Sequence, residues 1–166
     1  MRPDWLPPEL QLNGMSLQDD LEELFSVYKR DFIDTSPPIV EGMKVYSNDY
    51  IDRGWNDPRF THGFTHIITR GEGYRLIDYA RARKLPWIRA VIDNYKMPEV
   101  SVFWVAHHVD GMRLILWLED FDFVVILSRK RRPNKAEDRG AIIITAYDVD
   151  PRHRRRFSKL RENKLA

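Results

Sequence analysis

The sequence predicts an α+β domain in which helices pack on a four-stranded antiparallel sheet. Apolar residues recur at helical spacing up to about residue 95, and from residue 99 the apolar period changes from 3.6 to 2. Short polar turns separate most of the strand-like segments, and short connections make consecutive strands antiparallel neighbours. We therefore expect N-terminal and central helices on a four-stranded antiparallel meander, followed by a basic C-terminal helix.

Three helices are predicted before the sheet. Ser16 is a good N-cap for an amphipathic helix over about residues 17–33. Residues 74–84 have helical spacing, and Pro86 fits the first position of a further helix, where its missing N–H is not needed. The residues before Ser16 are rich in proline and predict an arm.

The sheet is predicted from four segments, 100–107, 112–119, 123–128 and 141–148. A basic polar loop at 129–135 separates the last two segments. Asp150 as cap and Pro151 as first residue then predict the C-terminal helix. This helix is rich in arginine and lysine, and we expect only weak anchoring through Phe157 and Leu160.

Length and composition limit the class of protein. A chain of 166 residues is long enough for one domain with its own core. We divide it into an appendage at 1–60, which holds the arm and an acidic helix, and an α+β domain at 61–166. The absence of cysteine excludes disulfides, cysteine-based zinc sites and thiol catalysis. No apolar run reaches the roughly 18 residues of a membrane span, and the first residues lack a signal-peptide core, so we expect a soluble cytoplasmic protein.

Charge is distributed unevenly along the chain. Residues 1–60 hold 6 Lys and Arg against 12 Asp and Glu, whereas residues 61–166 hold 21 against 13. The basic part suits a polyanion such as RNA. Ordinary solvated charge beside an acidic surface helix explains the same asymmetry, so charge alone leaves both interpretations open.

Two hydroxyl groups project from the last predicted strand. Because side chains alternate along a strand, the odd-numbered residues of 143–147 should share one face, which carries the hydroxyls of Thr145 and Tyr147. The even-numbered residues of 142–146 should face the helices. Such a hydroxyl pair can bind a phosphate or orient a nucleophile, and it can equally be a β-favouring threonine beside an ordinary cross-strand tyrosine.

Histidines are the second chemical feature. His62 and His66 share a face whether their segment is helical or extended, and histidine is the usual general acid or base near neutral pH. The spacing also matches a zinc-binding pair, but the glutamate of that motif is absent because position 63 is glycine. We therefore expect no metal or other cofactor. His107 and His108 are adjacent on a strand, so their rings should point to opposite faces and not act together.

Basic side chains are candidates for contacts with phosphate. Four arginines lie along the two central helices, and spacing alone does not separate phosphate clamps from surface residues; they are Arg75, Arg81, Arg83 and Arg89. The further candidates are Arg70, Lys130, Arg131 and His153. The C-terminal helix either follows a nucleic-acid backbone or is a disordered or partner-binding tail.

Six pieces of sequence occur in an order that is similar to a known family. The pieces are Phe64-Thr65-His66-Ile67-Ile68, Arg83-Lys84-Leu85-Pro86-Trp87, Leu116-Trp117-Leu118-Glu119, Phe123-Val124-Val125-Ile126-Leu127, Thr145-Ala146-Tyr147 and His153 to Leu160. Their order resembles the barnase/EndoU/colicin/RelE-like (BECR) nuclease superfamily, in particular its branch of small proteins carried by phages and mobile elements. No single piece is specific, and the order carries the resemblance.

The resemblance implies a metal-independent ribonuclease that cleaves tRNA or mRNA as a toxin or phage-defence effector, with an antitoxin or immunity protein as a possible partner. It implies that His66 is the acid or base, that Thr145 and Tyr147 are hydroxyls beside the phosphate, and that Arg83 clamps the phosphate. Family members often have a second histidine after the arginine of the histidine segment, where this chain has Gly71; His62 is the candidate replacement. Two alternatives stay open, a non-catalytic RNA- or protein-binding module and a metal-dependent hydrolase that uses both histidines.

Overall fold

The structure is a computed structural model that describes residues 2–73, 75–109, 111–131 and 139–163. Its α-helices are α1 (Leu17–Tyr28), α2 (His62–Ile68), α3 (Tyr79–Ala82), α4 (Leu85–Asp93) and α5 (Pro151–Glu162). Its strands are β1 (Ile39–Val40), β2 (Met43–Tyr46), β3 (Thr69–Arg70), β4 (Leu76–Ile77), β5 (Val100–His107), β6 (Gly111–Leu118), β7 (Phe123–Arg131) and β8 (Arg139–Asp148). The predicted α+β class is confirmed.

The main sheet is larger than predicted. Six strands follow the order β1-β2-β8-β7-β6-β5, and β3 and β4 form a separate two-stranded sheet. The strands β5 to β8 pair antiparallel in sequence order, whereas β2 pairs parallel to β8, so the sheet is mixed. The prediction of a four-stranded meander was therefore incomplete. The two additional strands, β1 and β2, come from residues almost one hundred positions before β8 in the chain. Periodicity among neighbouring residues does not indicate such a long-range pairing.

Helix ends agree with the capping signals in most places. The Ser16 hydroxyl accepts a hydrogen bond from the Asp19 N–H at 3.3 Å, and a π-helical turn at Lys29–Ile33 continues α1 to the predicted end. The helix predicted over 74–84 was correct only for Tyr79–Ala82. Residues 76–77 pair as β4 with β3, and the Asp78 side chain then caps the short α3.

The predicted basic loop at 129–135 was also wrong in its first part. Residues 129–131 continue β7, where Lys130 pairs with Gly140 and Arg131 pairs with Arg139. The side chains of these two basic candidates, and residues 132–135, lie outside the described part of the chain. The β7–β8 pairing is therefore longer than the alternation of apolar residues indicated.

Each face of the main sheet is covered by a different set of helices. The α1, α2 and α4 helices pack on one face around a core that includes Leu24, Phe64 and Val91, all fully buried. Residues from both sides of position 60 share this core. The other face packs against α5 through a smaller cluster that includes Trp117 and Phe157.

The α5 helix is anchored more firmly than predicted. The guanidinium groups of Arg154 and Arg161 lie 5.3 and 5.4 Å from the ring centre of Trp117, and the Phe157 ring packs at 5.9 Å. Arg154 also pairs with Asp122, and Arg161 pairs with Glu119. Cation–π contacts to a buried tryptophan are among the stronger of their kind. The expectation of weak anchoring considered only apolar residues and missed these two arginines.

Among the described residues, no helix is long and apolar enough to cross a membrane.

Candidate anion-binding and catalytic site

The candidate site lies where α2 and α3 meet the edge of β8. The parallel pairing with β2 involves only residues 140–142 of β8. Both α2 and α3 contact β8, and Arg81 of α3 lies over the Tyr147 ring. The fold therefore brings Arg81 next to Tyr147, and the charge of the same arginine acts on His66 of α2.

The histidine segment is helical, which settles the alternative left open by its spacing. The Thr61 hydroxyl caps α2 by accepting a hydrogen bond from the Phe64 N–H at 3.3 Å. Phe64, Ile67 and Ile68 are buried in the core, so the other side of the helix carries the histidines. The rings of His62 and His66 stack with centres 5.3 Å apart and planes 20° apart.

The stack of rings continues outward to Tyr50. Its ring lies 4.9 Å from that of His62, with planes 22° apart, and Tyr50 is 56% exposed. The His62 N–H also donates to the Tyr50 carbonyl at 2.9 Å, which holds this loop against α2. The three rings thus form a continuous stack from the surface to His66.

Gly63 allows the loop before α2 to approach the helix closely. A Cβ atom at this position would lie 2.1 Å from the Ser47 hydroxyl oxygen and 2.6 Å from the Asn48 carbonyl oxygen. The serine side chain can rotate away, but the Asn48 carbonyl belongs to the backbone and itself accepts the Gly63 N–H at 3.0 Å. Glycine is therefore needed here for close packing and not for a turn.

Replacing Gly63 with alanine is expected to lower the free energy of unfolding by about 1–3 kcal/mol, the usual cost of overpacking a tight contact. Chemical denaturation measures the change. Gly54→Ala is the matched control, because its Cβ would come no closer than 3.2 Å to a side-chain oxygen of Asp52 and would meet no backbone atom within 4 Å. Equal stabilities of the two variants would contradict this packing role.

His66 is held in its neutral form. Burial lowers its pKa to about 4, and the positive charges of Arg75, His62 and Arg81 act in the same direction. The imidazole is therefore unprotonated at neutral pH and can accept a proton. Among the described residues, its ring has no hydrogen-bond partner, so it is free to bond to a ligand.

Arg75 fixes the end of α2 and contributes charge. Its guanidinium donates to the carbonyls of His66, Thr69 and Gly71 and to the Thr69 hydroxyl, at 2.6 to 3.2 Å. Carbonyls at a helix C-terminus carry partial negative charge, which this cation offsets. Arg75 therefore positions His66, and its guanidinium makes its hydrogen bonds within the protein itself.

Arg81 connects the histidine helix to the last strand. Its guanidinium lies 5.9 Å from the ring centre of Tyr147 and donates to the Thr69 carbonyl at 2.9 Å. The Asp78 carboxylate lies 4.0 Å from its Nε, and that nitrogen has no hydrogen-bond acceptor among the described residues. An arginine remains charged at neutral pH, so this cation is only partly compensated and is suited to an anion.

Tyr147 and Thr145 share a face, as predicted, but Ile143 does not. Ile144 is an extra, bulged residue of β8, so that Thr145 pairs with Ile126 while Ile143 pairs with Leu127. Ile143 and Ala146 consequently face the main core, and Ile144 packs on the α5 side. A period of two assumes no extra residue, and the bulge breaks it.

The Tyr147 hydroxyl keeps its proton at neutral pH. Burial raises its pKa above the ordinary value, against the opposing charges of Arg156, Arg81 and Arg113. These three arginines come from α5, α3 and β6, so the tyrosine lies where several basic side chains converge. Thr145 is half-buried two positions before it.

Arg83 lies apart from this cluster. Its guanidinium donates to the Leu12 carbonyl at 3.1 Å and lies 5.5 Å from the ring centre of Tyr79. The predicted phosphate clamp is thus directed toward the N-terminal arm, and Arg81 takes the place beside Tyr147. The spacing of the four arginines in the sequence does not indicate which of them lies beside Tyr147; the packing of the folded chain determines it.

The other basic candidates have different positions. Arg70 is exposed on β3, close enough that its charge lowers the pKa of Arg81, although burial is the larger cause. His153 is exposed on the first turn of α5. His107 and His108 were predicted to point to opposite faces of a strand. This prediction was wrong, because β5 ends at His107 and the two ring centres lie 4.5 Å apart.

In the part of the chain that the structure describes, no three His, Cys, Asp or Glu side chains lie together as a potential metal-binding group. None of the protein-family models, curated proteins or solved structures with which the chain was compared matches it.

Proposed function

We propose that the protein is a metal-independent endoribonuclease, acting in the cytoplasm as a toxin-like or phage-defence effector on tRNA or mRNA. The proposal rests above all on Arg81 of α3, an incompletely paired cation that lies over the protonated Tyr147 of β8 and whose charge also acts on the neutral His66 of α2. Such a set contains a proton acceptor, a cation and a proton donor. The BECR-like order of sequence pieces adds to this support, and a toxin would require an antitoxin or immunity protein as partner.

These residues have complementary roles in cleavage by the RNA's own 2′-hydroxyl. His66 accepts the proton of that hydroxyl, and the oxygen attacks the adjacent phosphorus. The bond from phosphorus to the 5′-oxygen breaks, and Tyr147 gives its proton to this leaving oxygen. Arg81 stabilises the negative charge of the phosphorane. The products are a 2′,3′-cyclic phosphate and a 5′-hydroxyl, and proton exchange with water restores both side chains.

Incubating the purified protein with a defined RNA in EDTA tests the proposal. We expect fragments that end in a cyclic phosphate, identified by mass spectrometry, because no step requires a metal ion. Intact RNA in this assay, or cleavage that EDTA abolishes, would contradict the proposed chemistry.

The pH dependence of cleavage is a separate prediction. Because His66 acts as a base, kcat/KM should rise as its ring loses a proton, with a midpoint near its lowered pKa of about 4. The profile should then stay level through neutral pH, since Tyr147 has a raised pKa and remains protonated. A rise centred near 6.5, the ordinary value for histidine, would show that His66 is not the base or is not buried as described.

A non-catalytic RNA-binding module is the second candidate. One observation favours it: among the described residues, no side chain orients the His66 ring by a hydrogen bond, whereas a catalytic base is commonly held by a third group. This module would bind RNA in a salt-sensitive manner without turnover. The cleavage assay distinguishes it from the nuclease.

A further inference from the structure

The basic residues of α5 are divided between two sides of the helix. Arg154 and Arg161 face inward and stack on Trp117. The others line an open groove on the outer side, together with Leu160 and Asn163; they are Arg152, Arg155, Arg156 and Lys159. Positions three and four apart fall on the same side of a helix, which explains the division. We call the four outer residues the α5 stripe.

The charges of the α5 stripe are mostly uncompensated. Arg152 pairs with Asp150 at 3.0 Å and is still 85% exposed. Within the described part of the chain, Arg155, Arg156 and Lys159 have no carboxylate at ion-pair distance, and all three are exposed. Keeping three such cations on one side of a helix is unfavourable without an anionic partner, because like charges repel.

The α5 stripe is continuous with the candidate site. Tyr147 and Leu160, which lines the groove, pack against the same apolar cluster under α5, and the charges of Arg156 and Arg81 both act on the Tyr147 hydroxyl. An anion bound between Arg81 and Tyr147 would therefore have basic side chains next to it along α5. From Arg152 to Lys159 the helix rises about 10 Å, at roughly 1.5 Å per residue.

We propose that the α5 stripe binds the phosphate backbone of the RNA strand that continues beyond the scissile phosphate. This inference rests on the proposed function for the identity of the polyanion. The four cations of the stripe, spread along about 10 Å of helix, can contact successive phosphates of one strand. The strand leaves the site at Tyr147, passes Arg156 and follows the helix toward Lys159.

The composition of the stripe favours RNA over other anionic partners. A protein interface of ordinary size has an apolar core with aromatic residues, and an amphipathic helix on a membrane needs a large apolar face. Among the described residues that line the groove, the one large apolar residue is Leu160, which is half-buried against the sheet. Arginine and lysine without apolar neighbours are typical of contacts to phosphate.

Binding of a non-cleavable RNA at several salt concentrations tests the inference. The ligand is a single-stranded RNA that carries 2′-O-methyl groups, which remove the attacking hydroxyl and leave the phosphates intact. The variant R155Q/R156Q/K159Q removes three stripe charges. Each lost phosphate contact reduces the slope of log affinity against log salt by about 0.7, so we expect the slope to fall by about 2.

The matched control is K29Q/K44Q/K96Q, which removes three exposed lysines outside α5. It should keep the wild-type slope, and circular dichroism checks the fold of both variants. An equal slope change in the two variants would overturn the inference, as would tighter binding of wild-type protein to anionic lipid vesicles than to RNA. Cleavage of natural RNA with an unchanged slope in the stripe variant would overturn only this inference. Stripe-dependent binding without cleavage would overturn only the proposed nuclease activity.

Discussion

Replacing His66 with alanine is expected to reduce the single-turnover rate of RNA cleavage by about 10²–10⁴-fold, the usual contribution of a general base. The ring is neutral at the pH of the assay because burial and the nearby cations hold its pKa at about 4. Alanine removes the proton acceptor together with the ring that stacks on His62. Stability should fall little, since within the described residues no hydrogen-bond partner of the ring would be left unpaired.

His108→Ala is the control for this experiment, because His108 is exposed beyond the end of β5. Its rate and its melting temperature should match those of the wild type. If His66→Ala cleaves at the wild-type rate, the assignment of the base is wrong. A loss confined to His62→Ala would then transfer that role to the other ring of the stack.

Replacing Arg81 with glutamine is expected to reduce the same rate by about 10²–10³-fold, as for the loss of one group that stabilises transition-state charge. The Arg81 guanidinium lies 5.9 Å from the centre of the Tyr147 ring. The effect should appear in the maximal single-turnover rate more than in the concentration of RNA needed for half saturation, because the phosphorane carries more charge than the substrate phosphate.

Arg83→Gln provides a matched comparison two residues away on the chain. Its guanidinium contacts the Leu12 carbonyl and the Tyr79 ring, so we expect the cleavage rate to stay near that of the wild type. This pair of variants separates the arrangement in the structure from the one that the sequence resemblance implies. A large loss of cleavage rate in Arg83→Gln, with full activity in Arg81→Gln, would favour the role that the sequence resemblance implies for Arg83.

Features that depend on neighbouring residues could be predicted from the sequence. The α1 and α5 helices begin at their predicted caps, Ser16 and Asp150, because a cap acts within the first helical turn. The strands β5 to β8 follow from their period of two and their sequential pairing. The shared face of His62 and His66 also follows from their spacing, and the helical form of α2 preserves it.

The arrangement of the site depended on packing between distant parts of the chain. Nothing local indicates that β2 pairs with only residues 140–142 of β8, or that Arg81 of α3 lies over the Tyr147 ring. The bulge at Ile144 changes which side chains share a face, and a simple alternation cannot include it.

The sequence by itself determined the chemical groups, the class of fold and the position of most helices and strands, because caps and periodicity act over a few residues. Only the tertiary structure decided that Arg81, and not Arg83, lies beside Tyr147, and that two arginines of α5 anchor the helix while the other four basic residues face outward. Equivalent arginines on one helix differ only in what packs against them, and that is a property of the folded chain.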